Sequence, residues 1–90
     1  MVVKIEDVKN VYRNIISGLI TLEEADRWAW KLITENDKNN LFYDDLNDEK
    51  IIWKMVIYLY GIDIPDLQTN IPQRTKEDIL FFLKSNNIII

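Results

Sequence analysis

The stretch "IIWKMVIYLYG", Ile51 to Gly61, decides the fold. A run of isoleucine, valine, tyrosine and tryptophan suits a buried strand as well as a helix. Its ends favour the helix: Asn47 or Asp48 can cap the start, and Gly61 stops it. Lys54 is its sole charge, so the helix is apolar almost all round. Such a helix belongs in the middle of a bundle, covered on several sides.

The flanking segments have helical periods. From Ile5 to Ser17, residues Val8, Val11, Tyr12, Ile15 and Ile16 recur at helical spacing, while Lys9, Arg13 and Asn14 take the other side. Gly18 then suits the left-handed residue just past a helix end. "TLEEADRWAWKL", Thr21 to Leu32, opens with a capping-box pattern, Thr21 and Glu24, and Glu23 favours the positive helix start. Its buried stripe is Leu22, Ala25, Trp28, Ala29, Leu32 and Ile33, with small alanines that let a neighbouring helix approach. Thr75 with Asp78 marks the start of a last helix, ending near Leu83 or Lys84.

Between these lie two connections. "TENDKNNLFYDDLND" reads as a loop rich in Asn and Asp, with Leu41, Phe42 and Tyr43 as an anchor into the core. "IDIPDLQTNIPQR" holds both prolines and reads as extended. The apolar end "NNIII" either docks on the bundle or adds an edge strand, beside "VVKI" at the other terminus. The expectation is all-α: one domain over residues 1–90, a compact bundle of about four helices. A long acidic connection joins helices two and three.

Composition excludes much chemistry. Ninety residues without cysteine or histidine leave no thiol nucleophile, no disulfide, no zinc site of the usual kind and no Ser–His pair. No apolar run is long enough to span a bilayer, and the start lacks the pattern of a signal peptide, so the expectation is a soluble cytoplasmic protein. Net charge is −4, and the segment Glu35–Lys50 holds six acids against two lysines. The remaining nine acids and nine bases balance, so the whole excess sits in that segment. A nucleic-acid reader needs a clustered basic footprint, and none is present.

The acidic segment supplies the candidate binding residues. Asp44, Asp45, Asp48 and Glu49 are hard oxygen ligands, but the segment lacks the glycine and ligand spacing of an EF-hand loop. Paired carboxylates doing acid–base work need a lined cleft, and a filled bundle core leaves little room for one. No metal, cofactor or catalytic role is expected. What remains is a solvated loop, favourable at a helix start in any case, or a surface for a cationic protein. In the second reading Asp37, Asp44, Asp45, Asp48 and Glu49 steer while Tyr43 and Trp30 anchor. Trp30 lies about 200° around the helix from Trp28, so the two rings cannot face one core. It either packs on a further helix or stands as an exposed anchor; Trp53, on the apolar helix, reads as core.

"IISGLITLEEADRWAWKLI", then "IIWKMVIYLYGIDI", then "EDILFFL" resemble a group of small bacterial proteins. In that group a helix ending near Ser-Gly precedes an E-E-A-x-x-W-A helix, followed by a W-containing helix and a final D-I helix. The group is similar to the immunity proteins of bacterial toxin–immunity systems. The resemblance implies a non-enzymatic inhibitor of a toxin domain, and it carries no binding residue across. The alternative is a small adapter or self-associating subunit that uses exposed apolar surface at Trp30 and Ile88–Ile90.

Overall fold

The structure is a computed structural model describing residues 1–64 and 74–90. Its elements run β1 (Val2–Val3), α1 (Ile5–Ile16), α2 (Leu22–Asp37), β2 (Phe42–Tyr43), a 3-10 turn (Leu46–Asp48), α3 (Glu49–Leu59) and α4 (Lys76–Ser85). The deciding stretch is helical. Both prolines fall within residues 65–73, so most of the expected extended connection lies outside the described residues.

Helices α1, α2 and α3 contact one another pairwise. α1 contributes the buried Val8, Tyr12 and Ile15, α2 contributes Ala25, Ala29 and Leu32, and α3 contributes Ile52, Met55, Val56 and Leu59. Ala25 and Ala29 are fully buried, and side chains this small suit the contact of α2 with its neighbours. Tyr12 is fully buried, and its hydroxyl donates to the Met55 carbonyl oxygen at 2.8 Å. That bond removes the penalty of a buried unpaired O–H and joins α1 to α3. Burial also pushes the Tyr12 phenol far above its ordinary pKa, so it stays a donor. α4 lies against this core through Ile79 and Leu83, with Phe82 stacked on Tyr58 at 3.9 Å.

The helix ends obey local chemistry. In α2 the Glu24 N–H donates to Thr21 Oγ1 at 3.1 Å, and the Thr21 N–H returns to Glu24 Oε1 at 3.4 Å. In α4 Thr75 and Asp78 repeat the arrangement. Gly18 (φ 80°) and Gly61 (φ 75°) take the left-handed positions after α1 and α3. The Gly61 N–H donates to Asp26 Oδ1 at 2.6 Å, which fastens the end of α3 to the flank of α2.

Three expectations change, and the open alternative for the C-terminal isoleucines resolves to docking on the core. The chain is not purely helical: β1 pairs in parallel with β2, Val2 opposite Phe42 and Val3 opposite Tyr43. The strand partner of the N-terminal segment is thus the α2–α3 connection, while Ile88 and Ile90 pack on the core. Backbone pairing decides this, because Asn40 to Tyr43 pass beside β1 and their N–H and C=O groups need partners. Asp37 is the last residue of α2, where the sequence suggested loop; packing of Leu32 and Ile33 carries the helix onward until Asn39 takes φ 60°. α3 is covered on fewer sides than expected, since Ile57 and Tyr60 are exposed. Among the described residues no helix is long and apolar enough to cross a membrane.

Candidate partner-binding surface

Two facts set the direction of α2 against α3. Trp30, midway along α2, stacks on Tyr60 just past the end of α3, with ring centroids 5.6 Å apart and planes 22° from parallel. Asn36, near the end of α2, shares a hollow with Glu49, Lys50 and Trp53 at the start of α3. The two helices therefore run antiparallel, and one seam carries both features.

The hollow has a volume of about 460 Å³ and is completed by Tyr43 of β2. Its walls follow from spacing. Glu49 and Trp53 are one helical turn apart on α3 and share a face. Val3, buried beside Tyr43 in the register of the short sheet, holds β2 where the Tyr43 ring can close the third side. Tyr43 and Trp53 are both half-buried, each packed on the core by one part of the ring. Partial burial, then the nearby Glu49 carboxylate, raise the Tyr43 phenol above its ordinary pKa. The phenol stays neutral at physiological pH and offers one O–H.

The acidic residues surround this hollow in sequence and carry little internal pairing. Among the described residues the ion pairs are Arg13 with Glu6 at 3.3 Å and Arg27 with Glu23. Asp37, Asp44, Asp45, Asp48 and Glu49 take part in neither. Asp45 has a local duty: its Oδ1 accepts from the Asn47 N–H at 2.9 Å and opens the 3-10 turn. Asp48 precedes α3 without a side-chain cap bond, and its charge still favours the helix start. The described carboxylates do not gather into a group that could hold a metal ion.

The structure thus brings Tyr43 and Glu49 into one hollow and leaves Asp44 and Asp45 exposed between them in the chain. It sets Trp30 apart, about 10 Å along α2 from Asp37 but on nearly the same helix face. At 51% exposure Trp30 is not a core residue; it seals the outside of the α2–α3 contact against Tyr60, itself 52% exposed. Asn36 and Lys50 were not singled out in the sequence, and Trp53, read as core, packs on the core and also lines the hollow. Trp53 read as core because its helix is apolar, yet its four-residue spacing from Glu49 already placed it beside an acid. Comparison with protein families, with curated proteins and with solved structures finds no match.

Proposed function

We propose that this chain is a non-enzymatic protein-binding module, an immunity-type inhibitor that neutralises a cationic toxin domain. The observation that carries the reading is the hollow in which Tyr43 and Glu49 meet beside Trp53. Two aromatic walls and a carboxylate that belongs to no ion pair among the described residues suit a lysine or arginine side chain, attracted by the ring faces and by the charge. Lys50 also lines the hollow and is exposed, so a cationic guest requires its ammonium to swing into solvent. Asp37, Asp44, Asp45 and Asp48 extend the negative surface and speed encounter with a basic partner. Trp30 and Tyr60 supply aromatic area at the other end of the seam. The inhibitor then works by occupation: it covers the basic surface on which the toxin's own anionic substrate binds.

The test is a growth assay in which the neighbouring open reading frame is expressed alone and with this chain. Growth arrest by the neighbour and rescue by this protein support the reading; a harmless neighbour, or arrest despite co-expression, removes it. With a partner in hand, the double reversal D44K/D45K is expected to weaken binding at least about 100-fold, since close charge pairs across interfaces couple by roughly 1.5–7 kcal/mol. Asp45 also caps the 3-10 turn, so the double change is expected to cost folding about 1 kcal/mol, while D44K alone alters stability by about 0.5 kcal/mol or less. Unchanged affinity would move the partner surface elsewhere.

A further inference from the structure

α4 carries a stripe that stays exposed among the described residues. Glu77, Leu80, Phe81 and Lys84 are all exposed, Leu80 at 49% and Phe81 at 73%. Their spacing of three, one and three residues puts them on one side of the helix, away from the buried Ile79 and Leu83. Next to Leu80 a second apolar feature opens, a groove of about 450 Å³ lined in part by Leu83, Ile88, Ile89 and Ile90. Ile89 is 82% exposed at its edge. Neither Glu77 nor Lys84 belongs to an ion pair among the described residues.

The order of these residues specifies an occupant. The midpoint between Glu77 and Lys84 falls between Leu80 and Phe81, and the stripe is opposite in charge about that midpoint. We infer that α4 is the pairing helix of a two-fold symmetric homodimer, laid antiparallel against α4 of a second copy. An axis through the midpoint sets Leu80 against Leu80, and Phe81 against Phe81. It brings Glu77 level with Lys84 of the other copy at both ends of the contact. A two-fold interface must be complementary to itself, and this stripe is. A parallel pairing opposes Glu77 with Glu77 and Lys84 with Lys84, so charge selects the antiparallel form. The isoleucine grooves lie on the Leu80 side of both copies and lengthen the apolar contact. No residue of the stripe lines the Tyr43–Trp53 hollow, so this inference stands independently of the partner-binding reading.

A contact built on a ten-residue helix falls at the small end of interface sizes, and the dissociation constant is expected on the order of 10–100 µM. Sedimentation equilibrium of the purified chain, from about 5 µM to about 1 mM, reads it directly. F81S is expected to leave a monomer throughout with an unchanged thermal melt, since the side chain is exposed. E77K and K84E each place like charges at both symmetric contacts and are expected to weaken the dimer about tenfold. The double swap E77K/K84E restores opposite charges and the original affinity, and an equimolar mixture of the two single variants dimerises as well as the parent. A monomer at every concentration overturns the inference. So does a dimer that ignores F81S, or one in which the double swap fails to rescue the single changes.

Discussion

Helices α2 and α4 begin in the same way and are held very differently. Each opens on a threonine whose side chain accepts from the backbone three residues later, with an acid there that answers. Each is followed by an asparagine in the left-handed conformation, Asn39 at φ 60° and Asn87 at φ 57°. Yet α2 buries Ala25, Ala29 and Leu32 in the core, and Asp26 ties it to Gly61. α4 buries Ile79 and Leu83 but keeps two large apolar side chains, Leu80 and Phe81, in water. Caps decide where a helix starts. The size and placement of its apolar residues decide how closely it is held, and whether a second face is left over.

The comparison can be broken at the core first. Leu32→Ala in α2 removes a fully buried side chain from a closely packed site and is expected to cost about 3–4 kcal/mol. Leu83→Ala in α4, where neighbours can relax toward the tail groove, is expected to cost about 2 kcal/mol. Urea unfolding measures both; equal losses would show α4 to be as tightly packed as α2.

The polar ties are the next largest. Asp26→Ala leaves the Gly61 N–H without its acceptor in a partly buried position, and a loss of about 1–2 kcal/mol is expected. α4 has an exposed counterpart, Lys54 Nζ donating to Asn86 Oδ1 at 2.6 Å. Lys54→Ala is expected to cost under about 1 kcal/mol, because water replaces such a bond readily. The caps come last and sharpen the point. Thr21→Ala and Thr75→Ala should each cost about 1 kcal/mol, since the two starts are chemically alike. A large difference between them would mean that the cap reports the packing behind it.

Those same starts were the most legible part of the sequence. Thr21–Glu24 and Thr75–Asp78 mark local events, so neighbouring residues are enough to read them, and Gly18 and Gly61 mark stops for the same reason. The helical reading of residues 51–60 rested on Gly61, on the helical neighbours and on a cap at Asn47 or Asp48; the stop is there, but Asp48 makes no side-chain cap bond. The sheet was not legible, because two-residue strands have no period to detect and their partners lie some forty positions apart. The site was half legible. Tyr43 and Glu49 could be selected from composition, but Trp53 was assigned to the core, because an apolar helix does not reveal which turn reaches the surface. Trp30 was recognised as lying off the main stripe; that it meets Tyr60 depends on how α2 and α3 slide against each other, which no local pattern encodes.

The short sheet also imposes an order in time. The Phe42 N–H donates to the Met1 carbonyl oxygen at 2.8 Å and the Asp44 N–H to that of Val3 at 3.0 Å. These bonds close a loop that contains both α1 and α2, and the entropy of that closure favours forming the helices beforehand. The segment bearing Asp44 and Asp45 is therefore expected to settle late in folding and to open early in unfolding. Its amide protons should exchange with solvent through openings that leave the three-helix core intact. The surface proposed for a partner is thus expected to be finished last, on a core that has already formed.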